Sequence, residues 1–175
     1  MKKIIFVVDM LNGFVKEGSL ASKNIAKIVP KQVSFLNKNK NIDNLFICDS
    51  HRKDDIEMQV YPLHCLKGTD EAQIIDELMP FVKSIMPKNS TNAFHNLKNL
   101  NYENYDEYEI IGCCTDICIL QLALSLKTYF NEKKQNKKVI VYKNLVSTFD
   151  AKNHKASTYH KMALNIMQQA GIIIK

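Results

Sequence analysis

Short apolar runs alternate with helix-like stretches along almost the whole chain, and this alternation restricts the fold more than any other feature. Apolar runs of this kind are typical of strands buried on both faces of a parallel sheet. The predicted strands are Lys3–Asp9, Asn44–Asp49, Ser84–Met86, Tyr108–Gly112, Lys138–Lys143 and Gly171–Ile174, of which Ser84–Met86 has the weakest pattern.

Between these runs, apolar residues recur at helical spacing. The predicted helices are Ile25–Leu36, Asp70–Met79, Ile117–Phe130 and Lys155–Ala170, and Gly171 supplies a stop signal for the last of them. Strands that alternate with helices predict an α/β fold, namely a doubly wound, mostly parallel sheet with helices on both faces.

Composition places the chain among single-domain cytoplasmic proteins. The 175 residues, 46% of them hydrophobic, suffice for one domain spanning 1–175 that needs no disulfide staples. Five cysteines, an odd and irregularly spaced set, favour free thiols in a reducing compartment. The apolar run after the basic N-terminus is short and ends on Asp9, which indicates a strand rather than a signal peptide.

Charge and hydropathy disfavour two classes of partner. The net charge of +6 comes almost wholly from scattered lysines, and Arg52 is the single arginine, so nucleic-acid binding is disfavoured. No run approaches the roughly 20 apolar residues of a membrane span, so a membrane partner is not expected either. A small-molecule substrate is expected, and homo-oligomerisation stays open.

Reactive residue types follow several predicted strands. In doubly wound sheets, ligand sites lie beyond the carboxyl ends of the strands. Asp9 and Asp49 end two strands, and Cys118 follows a third, at the predicted start of an apolar helix. A cysteine there has a lowered pKa, and free backbone N–H groups nearby can bind an oxyanion. The alternative for Cys118 is a buried structural thiol.

Two further groups of residues suggest a site. Asp49, His51, Glu57 and His64 combine carboxylate and imidazole donors on one long loop, which suits a divalent metal such as Zn²⁺, Mn²⁺ or Fe²⁺. The alternative is a set of solvated loop residues. A buried Asp9 would need a cationic partner, which Lys88 could supply, although Lys88 alone indicates only an exposed lysine.

Five ordered segments resemble motifs of the isochorismatase-like cysteine hydrolases, and within them of the nicotinamidases. The resemblance runs from Phe6 to about Asp150. The segments are Val7-Val8-Asp9-Met10-Leu11-Asn12-Gly13-Phe14, Asp49-Ser50-His51, Tyr61-Pro62-Leu63-His64-Cys65-Leu66-Lys67-Gly68-Thr69, Lys88 with Asn92-Ala93-Phe94, and Thr115-Asp116-Ile117-Cys118.

The resemblance implies a complete hydrolytic site. Asp9, Lys88 and Cys118 would form a catalytic triad, and the backbone N–H groups of Cys114 and Cys118 would bind the oxyanion after a cis Cys113–Cys114 peptide. One divalent metal, with zinc favoured over manganese or iron, would be held by Asp49, His51, Glu57 and His64. Phe14 and Tyr61 would flank a pyridine ring. The implied reaction is hydrolysis of nicotinamide to nicotinate and ammonia through a Cys118 thioester, a step of NAD salvage.

Departures from the family pattern leave alternatives open. Leu11 replaces a glutamine, and Tyr61 replaces a tryptophan that stacks on the substrate ring in the family. A different small amide, carbamoyl or ureido substrate therefore stays open. So do a non-catalytic metal- or ligand-binding protein on the same fold and a thiol-redox protein that uses Cys114 and Cys118.

Overall fold

A six-stranded sheet, in which every pair of neighbouring strands is parallel, forms the centre of the molecule. The computed structural model describes residues 1–97 and 104–175. The sheet order is β3-β2-β1-β4-β5-β6. The strands are β1 (Lys3–Val8), β2 (Asp43–Asp49), β3 (Ile85–Lys88), β4 (Glu107–Cys113), β5 (Lys138–Ser147) and β6 (Ile173–Ile174). The predicted doubly wound α/β fold is confirmed, and the weakest predicted strand is the edge strand β3.

Helices cover both faces of this sheet. They are α1 (Asn12–Val15), α2 (Lys23–Ala26), α3 (Val29–Lys38), α4 (Phe94–Leu97), α5 (Leu120–Glu132) and α6 (Ala156–Gln169). A single turn of π-helix, Thr115–Ile119, precedes α5 and is called the π turn below. No helix in the described parts of the chain is long and apolar enough to cross a bilayer.

Two predicted helices differ from the structure. The prediction Ile25–Leu36 spans α2 and α3, which are separate because Pro30 lies in the first turn of α3 and cannot continue a preceding helix. The prediction Asp70–Met79 is wrong. Only short 3₁₀ turns form at its two ends, and Ile74 instead pairs antiparallel with Leu11. Backbone bonding to another segment overrides the helical spacing here.

Alternate residues of β1 show why both faces need cover. Ile4, Phe6 and Val8 pack into the core beneath α5 and α6, whereas Ile5 and Val7 pack into the core beneath α1 to α3. Since successive side chains of a strand point to opposite faces, a central strand must be apolar throughout. This two-sided burial explains the apolar runs in the sequence.

The backbones of β1 and β4 approach closely at the carboxyl edge of the sheet. Gly112 has φ +125°, and a Cβ placed there would lie 2.0 Å from the carbonyl oxygen of Val8. Only glycine fits this position. The strand order changes direction at the same place, between β1 and β4, which is where ligands bind in doubly wound sheets. The fold therefore predicts a site beside Asp9.

Candidate active site

Asp9, Lys88 and Cys118 meet at the carboxyl edge of the sheet. Asp9 follows β1, Lys88 ends β3, and Cys118 lies in the π turn after β4. The Nζ atom of Lys88 is 2.9 Å from Oδ2 of Asp9 and 3.7 Å from Sγ of Cys118, and it also pairs with Oδ1 of Asp49. Lys88 is fully buried, so the alternative of an exposed lysine is wrong.

The electrostatics of this group follow from one buried lysine between two buried carboxylates. Burial and the charge of Asp49 raise the pKa of Asp9 to about 6, against the opposing effect of Lys88. Burial also works to raise the pKa of Asp49, but Lys88 and the nearby histidines outweigh it and hold that pKa below its usual range. Asp9 is therefore the carboxylate that can exchange a proton near neutral pH.

The Cys118 thiol differs from the sequence-based expectation. Burial raises its pKa well above the ordinary value, and the charge of Lys88 only partly offsets this. The lowered pKa that was expected from the helix terminus is therefore wrong. The sulfur rests as a neutral thiol that hydrogen-bonds to Asp9. A proton acceptor is already beside it, so attack and deprotonation can occur together.

The π turn holds Cys118 at a sharp entry from β4 into α5. The Cys113–Cys114 peptide is cis, as the family resemblance implies. Cys114 caps the turn, and its carbonyl oxygen accepts hydrogen bonds from the backbone N–H groups of Ile117 and Ile119. The oxyanion role of the Cys114 and Cys118 N–H groups stays a prediction.

Asp49, His51 and His64 form a compact group of donor atoms. Their ligand atoms all lie within 4.8 Å of one another. The Nε2 atoms of His51 and His64 are 3.4 and 3.7 Å from the two carboxylate oxygens of Asp49. Each Nδ1 atom contacts an oxygen outside this group. Nδ1 of His51 lies 3.2 Å from a carboxylate oxygen of Asp55, and Nδ1 of His64 lies 2.8 Å from the carbonyl oxygen of Pro62. Outer contacts of this kind orient imidazoles that ligate metals.

The donor chemistry of this group fits a divalent cation. His51 Nε2 is buried and has no hydrogen-bond partner in residues 1–97 and 104–175. A buried, unsatisfied imidazole nitrogen is costly unless a ligand occupies it. Two imidazoles and a carboxylate are a typical set for zinc.

The structure does not bring Glu57 into this group of ligand atoms. Its Oε1 atom instead accepts hydrogen bonds from the backbone N–H of Thr91, at 2.8 Å, and from the Thr91 hydroxyl, at 3.1 Å. Glu57 thus positions Thr91, which lines the pocket described next. Its role as a direct or water-mediated metal ligand stays a prediction.

A pocket opens beside Cys118 and the donor atoms of Asp49, His51 and His64. It encloses about 440 Å³ of empty space, including its opening to solvent. Its walls include the two aromatic residues expected from the sequence, Phe14 and Tyr61, whose rings lie 5.6 and 6.3 Å from that of His64. Sequence reasoning missed the other wall residues Leu20, Thr91, Ile117 and Phe149.

The position of one missed wall residue depends on where its strand ends. Phe149 follows the end of β5, just as Asp9 follows the end of β1. Residues at the carboxyl ends of parallel strands share one edge of the sheet. Because the predicted strand ends at Lys143, six residues before Phe149, the sequence did not place this aromatic residue in the site.

Comparison with known proteins agrees with this geometry. The isochorismatase domain family model matches residues 3–174. Nicotinamidase 1 of Arabidopsis thaliana is 25% identical, over 87% of this chain and 72% of that protein. N-carbamoylsarcosine amidase of Thermoplasma acidophilum superposes with a TM-score of 0.78 and 25% identity, over 100% and 96% of the two chains. Pyrazinamidase of Pyrococcus horikoshii, solved in complex with zinc, superposes with a TM-score of 0.80 and 22% identity, over 100% and 99%.

Proposed function

Because the chain belongs to the isochorismatase family of hydrolases, we propose that it is a metal-dependent cysteine amidohydrolase that converts nicotinamide to nicotinate and ammonia. The observation that carries this proposal is the position of Lys88, within reach of both Asp9 and Cys118, because Cys118 itself lines an aromatic-walled pocket. A buried thiol, a proton acceptor and a cation at these distances suit nucleophilic attack on a carboxamide.

In the first half of the reaction, the Cys118 thiol gives its proton to Asp9 while the sulfur attacks the carboxamide carbon. The carbonyl electrons move to oxygen, and backbone N–H groups at the start of the π turn would stabilise the resulting oxyanion. When the carbon–nitrogen bond breaks, Asp9 returns the proton to the departing nitrogen. Ammonia leaves, and the acyl group remains on Cys118 as a thioester.

In the second half, water attacks the thioester carbon. Asp9 takes a proton from this water, and the carbon–sulfur bond then breaks to release the carboxylic acid. The Cys118 sulfur recovers its proton from Asp9, so the site returns to its starting state. Lys88 stabilises the negative charge that moves between the Asp9 carboxylate and the sulfur during both halves.

Asp49, His51 and His64 would hold the divalent ion. Zinc is the first choice for this donor set, with manganese and iron as alternatives, and a zinc-bound pyrazinamidase of the same fold supports it. When bound, such an ion supplies a Lewis acid that can orient a ring nitrogen and lower the pKa of a water molecule. Glu57 is the proposed fourth residue of this site, direct or through water.

Nicotinamide suits the pocket because it combines a flat ring with a carboxamide at one end and a ring nitrogen at the other. Phe14, Tyr61 and Phe149 offer aromatic surface for the ring, and His64 and Asp49 line the same pocket on the metal side. Gripping a substrate at both ends fixes its carbonyl for attack by Cys118.

Hydrolysis of a carbamoyl substrate is the second candidate. A solved structure of an N-carbamoylsarcosine amidase shares the fold at the same 25% identity as the nicotinamidase relative. Such substrates present an amide without an aromatic ring. The three aromatic side chains of the pocket wall therefore favour nicotinamide over them.

An ammonia-release screen tests the proposal. Nicotinamide, pyrazinamide, benzamide and a set of carbamoyl and ureido compounds are incubated with the zinc-loaded protein, with the Cys118→Ala variant as control. We expect the highest kcat/KM for nicotinamide and a value at least about tenfold lower for benzamide, which keeps the ring but lacks the nitrogen. Equal kcat/KM values for nicotinamide and benzamide would contradict the proposal that a bound metal orients the ring nitrogen. A carbamoyl compound as best substrate would favour the second candidate.

The same preparation separates hydrolysis from thiol-redox chemistry. All five cysteines are free in the structure. We expect alkylation and peptide mapping to find free thiols at Cys114 and Cys118 after exposure to mild oxidant. A reversible disulfide between them would favour the redox alternative.

A further inference from the structure

The His154 imidazole contacts the π turn directly. Its Nε2 atom lies 2.6 Å from Oδ2 of Asp116, two residues before Cys118. Its Nδ1 atom lies 2.9 Å from the backbone carbonyl oxygen of Phe149. The mechanism above uses neither His154 nor Asp116, so this contact has no role yet.

The same imidazole is stacked between two aromatic rings. Phe149 lies on one face, with ring centroids 4.2 Å apart and planes within 8° of parallel. Tyr159 lies on the other, at 3.9 Å and 27°. Phe149 lines the pocket together with Cys118. One side chain therefore contacts both the turn that carries the thiol and an aromatic wall of the pocket.

Both ring nitrogens of His154 face oxygen atoms at hydrogen-bond distance. One oxygen is the backbone carbonyl of Phe149 and the other belongs to the Asp116 side chain, so a single imidazole links the two segments. The His154 and Asp116 side chains are only 16% and 10% exposed, so water competes little with the contact between them. The other carboxylate oxygen of Asp116 has no hydrogen-bond partner among the described residues, so the turn depends on His154 at this point.

A second imidazole attaches the same turn to α6. Nδ1 of His160 lies 2.9 Å from the hydroxyl oxygen of Thr115, the first residue of the π turn. Residues on and just before α6 thus contact two successive residues of the π turn. The turn is therefore held at two points by residues that lie outside the group of Asp9, Lys88 and Cys118.

We propose that His154 is a positioning residue with two separable effects, an inference that rests on the proposed function. Its bond to Asp116 holds the π turn, so that Cys118 stays in reach of Asp9 and Lys88. Its stacked ring holds Phe149 against the pocket, where it contacts the flat ring of the substrate. The first effect acts on the chemical step and the second on substrate binding.

Two substitutions of His154 separate these effects. His154→Phe keeps a ring between Phe149 and Tyr159 but removes both ring nitrogens, whereas His154→Gln keeps a polar group near the Nε2 position but removes the ring. For nicotinamide we expect His154→Phe to lower kcat about 10- to 100-fold with little change in KM. His154→Gln should raise KM by up to about tenfold with a nearly normal kcat.

The matched control is His95→Phe, the same change at an exposed histidine on α4, which should leave both constants unchanged. Asp116→Ala removes the same bond from the other side, which serves if His154→Phe does not fold. The double variant should be no slower than the slower single variant, since both changes remove one interaction. Equal losses of kcat in His154→Phe and His154→Gln, or additive losses in the double variant, would overturn the inference.

Hydrogen exchange of the backbone amides in 114–119 gives a readout that needs no substrate. We expect these amides to exchange about tenfold faster in His154→Phe than in wild type or His95→Phe, because a side-chain contact that holds the turn is lost. Unchanged exchange would overturn the inference even if nicotinamide is the substrate. Faster exchange in a protein that hydrolyses no amide would support the role of His154 in holding the turn and would contradict only the proposed function.

Discussion

Buried carboxylates lie at both ends of β1 and β4, but the two ends differ in how many lysines neutralise the carboxylates and in how exposed those lysines are. The amino-edge cluster comprises Lys3, Glu107, Glu109 and Lys138. Glu107 lies 2.9 Å from the Nζ atoms of both Lys3 and Lys138, whose side chains are 34% and 46% exposed. The carboxyl-edge cluster comprises Asp9, Asp49, Lys88 and Cys118. There a single lysine serves two carboxylates, and none of these groups reaches water appreciably.

Similar residue types therefore acquire opposite proton affinities. Hydrogen bonds from Lys138 and Lys3 lower the pKa of Glu107 to about 2, whereas burial and the charge of Asp49 raise that of Asp9 to about 6. The number of lysines and their access to water account for the difference. In the amino-edge cluster, two lysines neutralise Glu107 and the ion pairs stabilise the fold. In the carboxyl-edge cluster, one lysine is shared by two carboxylates, so Asp9 can still take up a proton near neutral pH.

The largest expected effect is the loss of reaction in Cys118→Ala. Removal of a nucleophile costs on the order of 10⁴- to 10⁶-fold in kcat. The fold should survive, because the change removes one sulfur from the carboxyl-edge cluster and leaves its three charges in place. Ammonia release and thermal unfolding check the two statements. Near-normal turnover in Cys118→Ala, with Cys114→Ala inactive instead, would move the nucleophile to the neighbouring thiol.

Lys88→Met tests the two clusters against each other. Removing the one cation of the carboxyl-edge cluster leaves two carboxylates facing each other, so the free energy of unfolding at pH 7 should fall by about 3–5 kcal/mol. Lys138→Met, in the amino-edge cluster, should cost less than about 1 kcal/mol, because Lys138 is half exposed and Glu107 keeps Lys3. Urea unfolding gives both values, and similar losses in the two variants would erase the distinction.

The same substitution should also slow the reaction. Lys88 lowers the pKa of the Cys118 thiol and lies beside Asp9. Without it, kcat should fall about 10²- to 10⁴-fold, as should kcat of Asp9→Asn, which removes the proton acceptor. The apparent pKa of Cys118 from the pH dependence of alkylation should rise in Lys88→Met. An unchanged value would mean that Lys88 does not tune the thiol.

Removal of the metal should affect only the carboxyl edge. Protein purified without a histidine tag should contain about one divalent ion per chain, and His51→Ala should lose it. Chelation should lower kcat/KM about 100-fold or more, because several kcal/mol of charge stabilisation disappear. Elemental analysis and activity after dialysis against chelator measure this. Full activity in metal-free protein would contradict it, and a Glu57→Gln variant with wild-type zinc affinity would exclude Glu57 as a ligand.

The sheet and its carboxyl-edge residues could be predicted from the sequence because local patterns encode them. The apolar runs gave the strands within a few residues, and Asp9, Asp49 and Cys118 were located by the strands that they follow. Segments governed by distant contacts were not predictable in this way. The stretch Asp70–Met79 has helical spacing but bonds to the segment at Leu11, and no local signal reports that partner.

The site shows the same limit. The burial of Lys88, the high pKa of the Cys118 thiol and the contact between His154 and Asp116 each depend on side chains far apart in the sequence. Residue types could be read as candidates, but their protonation required the assembled structure. The helix-terminus argument predicted a lowered pKa for Cys118, whereas burial, which only the fold reveals, raises it.

The smallest predicted effect concerns the amino-edge cluster and its response to acid. The pKa of Glu107 is lowered from 4.5 to about 2 in the folded protein, so ionised Glu107 stabilises the fold above its unfolded-state pKa. That contribution shrinks as the pH falls from 4.5 and disappears below about pH 2, where the side chain is protonated in both states. Glu107→Gln should therefore lower the free energy of unfolding by about 1 kcal/mol at pH 7, a modest value because both lysines are partly solvated. The difference from wild type should vanish near pH 2.

Asp54→Asn, which breaks the exposed pair with Arg52, is the control and should show no such pH dependence. Urea unfolding from pH 7 to pH 2 measures both variants, and a constant difference across that range would show that Glu107 contributes through packing instead of charge.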